Sequence, residues 1–217
     1  MVDLPMHLVP KPALRGWSHR IAFVAAIIMC PILIIASEQA RGLASLYSIS
    51  VVVLFGVSST YHGHNWSERM HEVWRRCDHA VIFIAIAATY TPISWLMLSQ
   101  KEALVVLLFV WIGALSGVLV MMFWPSAPKS VLIPLFFIVG WSALLVIDDL
   151  WRELNGLGFT LLILGGVLHT SGAIVYGTQR PDPWPSKFGF HEIFHLLVVF
   201  ATACHYLVIA FIALPNA

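Results

Sequence analysis

Phe188 to Leu214 reads FGFHEIFHLLVVFATACHYLVIAFIAL, and the fold class follows from this stretch. A short polar opening passes into an apolar run long enough to cross a bilayer as a helix, which takes about 20 residues. Two histidines, His191 and His195, stand four residues apart at the mouth of that run. On a helix, positions i and i+4 share one face about one turn apart. The spacing therefore aims two imidazoles at one point, where the chain enters the membrane.

The rest of the chain has the same character. Of 217 residues, 59% are hydrophobic and 11% charged, where a soluble domain carries about 25% charged residues. The mean hydropathy is +0.86. Besides residues 190–214, apolar runs fall at 20–38, 43–62, 78–98, 103–123, 130–148 and 157–178, which makes seven. Backbone groups in hydrocarbon must be satisfied within the segment, so these runs are helices and not strands. The reading is an all-α, multi-pass membrane protein. Residues 1–19 form a short polar arm with Pro5, Pro10 and Pro12, and residues 20–214 form a seven-helix transmembrane domain. Arg15 and Arg20 ahead of the first run imitate a secretory signal, but no small-x-small cleavage site stands out, so the run reads as a retained helix. Cys30, Cys77 and Cys204 form no CxxC pair, which argues against a disulfide framework or a zinc ribbon. A net charge of +1 without a basic cluster argues against a nucleic-acid partner.

Loop charges set the expected orientation. Lys11, Arg15, Arg20, Arg69, Arg75, Arg76, Lys129, Arg180 and Lys187 fall on one side, and Arg41, Lys101 and Arg152 on the other. Nine against three puts the N-terminus in the cytoplasm and the C-terminus outside. Helix 2 then ends inside with Ser58 and His62, helix 3 begins inside with Asp78 and His79, and helix 7 begins inside with His191 and His195. Five polar residues from three distant segments share one membrane depth. Hydropathy does not say that the three helices are neighbours.

Three neutral imidazoles with one open position make a catalytic zinc arrangement, in which the metal brings the pKa of its water to about 7. An i, i+4 histidine pair on a helix with a third ligand from elsewhere is a known way to build one. In this reading His62, His191 and His195 bind the metal, Asp78 holds and deprotonates the water, and Ser58, one turn before His62, bonds the water, the acid or an oxyanion. The bland readings are that His62 sits at the interface, that Asp78 pairs with Arg75 or Arg76, and that Ser58 bonds back to its own helix. Glu192, about 100° round the helix from His191, reads as a helix-start acid suited to the macrodipole, with a supporting role at the metal also open. His79 reads as interfacial packing, and His64 and His71 as residues of a solvated loop. Ser18 and His19 close the arm near the site mouth. His169 and His205 read as hydrogen-bonded core histidines. The nine tryptophans gather near helix ends, as an aromatic belt does.

The combination of Ser58-Ser59-Thr60-Tyr61-His62, Asp78-His79-Ala80-Val81-Ile82-Phe83, Thr89-Tyr90-Thr91-Pro92 and Phe188-Gly189-Phe190-His191-Glu192-Ile193-Phe194-His195 resembles the hemolysin III family of bacterial membrane proteins, part of the progestin and adiponectin receptor superfamily. The resemblance covers nearly the whole chain. It implies seven spans with the N-terminus inside, Zn2+ on His62, His191 and His195, and Asp78 and Ser58 near the metal-bound water. The wider superfamily is similar to alkaline ceramidases, which implies hydrolysis of a lipid amide. Its eukaryotic members act as hormone receptors, while bacterial members are named for haemolysis and linked to membrane-lipid homeostasis. One departure lies before the first helix. Many bacterial members carry a Glu and an Asn there, and this chain has Pro12-Ala13-Leu14-Arg15-Gly16-Trp17-Ser18-His19.

The expected function is hydrolysis of a lipid amide or ester at the cytoplasmic leaflet of the bacterial cytoplasmic membrane, with membrane lipids as partners. The alternative is a non-enzymatic receptor or membrane-state sensor with structural zinc. A pore ranks lower, because three ligands buried at one leaflet give no conducting path. A b-type haem between His191 and His205 would need a matching histidine pair on another helix, and none is evident. Oligomeric state is not legible.

Overall fold

The computed structural model describes residues 12–124 and 126–217. Among them seven helical segments are long and apolar enough to cross a membrane. The elements are α1 (Trp17–Ala36), α2 (Arg41–Gly63), α3 (Glu68–Met97), α4 (Gln100–Phe123), α5 (Lys129–Gly140), α6 (Ile147–Glu153), α7 (Gly156–Thr178) and α8 (Phe190–Val208). A 3-10 segment, Ser142–Val146, joins α5 to α6 within one span, and a π turn, Ile209–Ala213, prolongs α8. The all-α, seven-span expectation holds. The beginning of the arm, with Pro5 and Pro10, lies outside the described residues.

Local chemistry places the helix ends. Ser99 and Glu102 form a reciprocal capping box that opens α4, with Ser99 N donating to Glu102 Oε2 at 3.2 Å. The Asn155 side chain caps α7 by accepting from Gly158 N at 2.7 Å. Gly16 precedes α1 with φ 76, a left-handed conformation that glycine adopts at little cost. A Cβ at this position would lie 2.8 Å from the His62 Cβ.

Two elements differ from the sequence expectation. The third helix begins at Glu68 rather than at residue 78. Its first turns are charged and escape a hydropathy window, yet they are tied together by Glu72, which accepts from Arg75 and Arg76 at 2.8 and 3.0 Å. His71 therefore rides on a helix, half-buried, and meets the Tyr61 hydroxyl at 3.2 Å instead of standing in a solvated loop. The fifth run is not one continuous helix but breaks after Gly140. Tyr90 of α3 serves the break: its hydroxyl donates to Gly140 O at 2.6 Å and accepts from Ala143 N at 3.0 Å. Two backbone groups freed within the membrane thus find a partner, as a low-dielectric setting demands.

Outward faces carry large apolar residues such as Ile21, Leu108 and Leu157, which suit lipid. Exposed Trp17, Trp95, Trp124, Trp151 and Trp184 stand at or near the ends of the spans. Inward faces are dominated by small residues, with Ala44, Ala87, Ala114 and Ala201 fully buried. Their size lets helices approach closely, the main packing device where hydrocarbon supplies no hydrophobic drive. Helix α1 packs on α2, α2 on α3 and α7 on α8, while α8 also meets α1 and the π turn meets α3. The first three spans and the seventh therefore adjoin one another, which hydropathy leaves open. A cavity of about 590 Å³ opens among α2, α3, α5, α7 and α8.

Candidate metal centre

His62 comes from the last turn of α2, Asp78 from the end of the charged part of α3, and His191 and His195 from successive turns at the start of α8. The ring centroids of His62 lie 4.8 Å from His191 and 4.7 Å from His195, and those of His191 and His195 are 4.5 Å apart. One nitrogen from each ring falls within 4.8 Å of the others. Nε2 of His62 and Nε2 of His191 are 3.4 Å apart. Two nitrogens on one tetrahedral zinc, at about 2.0–2.1 Å from it, sit roughly 3.3 Å from each other. That pair already has the spacing of ligands to a shared ion. Among the described residues His195 Nδ1 is buried with no hydrogen-bond partner, and a buried imidazole nitrogen needs one. Imidazole nitrogens suit zinc, copper, iron and nickel. The residues present fit a metal.

Asp78 is buried, and its Oδ2 lies 3.7 Å from His62 Nε2. It also interacts with the buried Ser58 hydroxyl, one turn before His62. A carboxylate buried this deeply needs partners. The arginines weighed from the sequence, Arg75 and Arg76, are both engaged by Glu72. The five residues singled out from the sequence thus come together.

Four further residues build the surroundings. Glu192 is 3% exposed and does more than favour the helix dipole: Oε2 accepts from Gly189 N at 2.8 Å, and Oε1 pairs with Arg15 Nε. Arg15 belongs to the arm, which is also fastened by Ala13 N to Ser186 O and Leu14 N to Lys187 O, both 3.1 Å. The arm is thereby laid across the start of α8. His19 is buried with its ring stacked on His195 at 3.9 Å between centroids and 9° between planes. His79 is not mere interfacial packing. Nδ1 meets Arg75 O at 2.7 Å and Nε2 meets the Tyr176 hydroxyl at 3.3 Å, and both residues line the cavity. The sequence signals were present, since Glu192 adjoins His191 and His19 shares the depth of the triad. Neither pattern says which way a side chain turns.

His62, His191 and Asp78 form part of one end of the cavity wall. Below them the wall turns apolar with Ile82, Ile86, Phe136, Leu162 and Val198. A volume of this size lies within the range of about 300–1,000 Å³ usual for small-molecule sites.

Comparison with known proteins is consistent with this geometry. A family described as haemolysin-III related matches residues 7–206, and the chain belongs to that family. It is 29% identical to Hemolysin-3 of Bacillus cereus over 202 residues, covering 89% of each chain. It is 27% identical to the human monocyte to macrophage differentiation factor, over 89% of this chain and 81% of that one. Identity to the adiponectin receptor protein of Drosophila melanogaster is 25%, over 88% of this chain and 48% of the relative. With seven apolar helices, the chain is a multi-pass protein of the bacterial cell membrane.

Proposed function

We propose that this haemolysin-III family member is a zinc-dependent hydrolase of a membrane-lipid amide or ester. The observation that carries the reading is the convergence of His62, His191 and His195 beside the buried Asp78, at the head of a largely apolar cavity. A zinc ion held by the three histidines would acidify a water and polarise the scissile carbonyl. The chain's own groups do the rest. The apolar wall takes the acyl chain and excludes water, while the triad end receives the carbonyl. As the water oxygen bonds to the carbonyl carbon, its proton goes to the Asp78 carboxylate. The bond to the leaving nitrogen or oxygen then breaks, and Asp78 returns the proton to it. Ser58 orients the carboxylate through its hydroxyl. Loop charge supports a site at the cytoplasmic leaflet, with the N-terminus inside, and membrane-lipid homeostasis is the role it would serve.

A second reading has one observation in its favour. Asp78 Oδ2 stands 3.7 Å from His62 Nε2, near enough for Asp78 to become a fourth ligand and close the site. A closed site would be structural, and the chain would then be a receptor or membrane-state sensor. The deciding experiment is elemental analysis of chelator-free purified protein, together with turnover of ceramide and phospholipid, for wild type and Asp78→Ala. Hydrolase chemistry expects about one zinc per chain in both proteins and turnover only in the wild type. Zinc lost from Asp78→Ala supports the closed site, and metal-free wild type removes the ground for either reading.

A further inference from the structure

A second pair of histidines stands in the same cavity, far from the first. His205 is ten residues beyond His195 on α8, which places it about 15 Å deeper at 1.5 Å per residue. It faces His169 of α7, with ring centroids 5.6 Å apart and planes at 36°. Both belong to the cavity wall. Helical phase agrees: His169 falls between the buried Gly165 and Gly172, on the face opposite the exposed Leu164, Val167 and Ile174. His205 falls between the buried Ala201 and Val208. Gly165 makes room for the pair, since a Cβ there would lie 2.3 Å from His205 Nε2.

The pair is under-satisfied. His205 Nε2 reaches the Leu162 carbonyl at 3.4 Å, long for a hydrogen bond. Among the described residues no hydrogen bond to the His169 ring is found. Imidazoles set in an apolar wall are costly unless they bond to something, and both of these border open cavity. The chemistry narrows what they bond. Among the described residues the wall holds one carboxylate, Asp78, at the opposite end, so the pair alone is a poor cation site. The arginines of the wall, Arg15 and Arg75, are also at the opposite end, so nothing here neutralises an anion. A neutral imidazole offers one donor and one acceptor, and a hydroxyl offers one donor and two acceptor lone pairs. The two match.

We propose that His169 and His205 form a recognition site for a hydroxyl group carried on the lipid chain that occupies the cavity. The proposal rests on reading the cavity as a lipid site, but not on hydrolysis. Its position follows from the distance. An extended chain advances about 1.2 Å per bond, as the polypeptide does at about 3.6 Å for three bonds. The hydroxyl is therefore about a dozen bonds from the carbonyl at the triad.

The test is binding of 12-hydroxyoctadecanoic, 2-hydroxyoctadecanoic and octadecanoic acid to the purified full chain in detergent, read by displacement of a fluorescent fatty acid. Wild type should bind the 12-hydroxy acid about tenfold more tightly than octadecanoic acid, the scale of one net hydrogen bond. The 2-hydroxy acid should show no such preference. In His169→Leu the preference should vanish while octadecanoic acid binding and metal content stay as in wild type. His169→Gln, which keeps a donor and an acceptor, should restore part of it. Equal binding of the acids by wild type, a preference that survives in His169→Leu, or no binding of any acid overturns the proposal. A preference without lipid turnover leaves the site standing and removes the hydrolase reading. Turnover without preference does the reverse.

Discussion

The two ends of the cavity hold histidines in opposite circumstances. At one end three imidazoles from α2 and α8 converge until two of their nitrogens are 3.4 Å apart, with a buried carboxylate 3.7 Å away. A half-buried Glu192–Arg15 pair and the stacked His19 hold the start of α8 in place. At the other end two rings face each other at 5.6 Å, and among the described residues the wall there adds no third ligand and no acid. Histidine count alone does not make a metal centre. Convergence of nitrogens and a compensating negative charge do, because a cation in a low-dielectric bundle needs both. The far pair has neither and is suited to a neutral polar group.

The largest expected effect sharpens this contrast. His195→Ala should lose the metal outright, from about one ion per chain to none by elemental analysis, whereas His205→Ala should keep it. Loss of metal from both would mean that the two ends are not separate sites. Next comes Asp78→Asn. Under the hydrolase reading turnover should fall by about 10²- to 10⁴-fold, the usual worth of a general base, with zinc retained. Turnover within a few-fold of wild type would remove Asp78 from the chemistry. The third is Arg15→Ala, which among the described residues leaves buried Glu192 with the Gly189 N–H. Removing one partner of a buried pair costs about 3–5 kcal/mol. Arg15 is 22% exposed and so partly screened, which places the expected loss at the lower end of that range. Thermal unfolding in detergent would read it as a lowered midpoint, and an unchanged midpoint would mean that the pair does not hold the arm.

Two smaller effects concern the far end. Gly165→Ala forces His205 from its place and should cost about 1–3 kcal/mol, as overpacking does, while metal content stays at wild-type level. His169→Leu should change stability least, by under about 1 kcal/mol, because an imidazole with no hydrogen-bond partner among the described residues gives up little when replaced by an apolar group of similar size. A large loss of stability there would show that His169 is a structural residue.

Much of the metal end was legible in the chain itself. The i, i+4 pair His191 and His195 is a statement about one helix face, and hydropathy with loop charge set Ser58, His62 and Asp78 at the same depth. The start of α3 was not legible, because its first turns are held by Glu72, Arg75 and Arg76 and not by apolar residues. The break after Gly140 was hidden too, since the group that serves it is Tyr90, fifty residues earlier. Glu192 read as a dipole residue because its partner, Arg15, is 177 positions away.

By itself, then, the sequence determined that the chain crosses a membrane seven times, which residue types are available to a metal and at what depth they lie. These are properties of single segments, set by apolar length and helical period. The tertiary structure alone decided that α1, α2, α3 and α8 adjoin, that a cavity remains among the helices, and that His19, His169 and His205 face inward. Lateral order depends on where small residues such as Ala44, Ala87 and Ala201 let helices approach. That is a relation between segments, and a lipid solvent that rewards every apolar face alike leaves no trace of it in the hydropathy of any one of them.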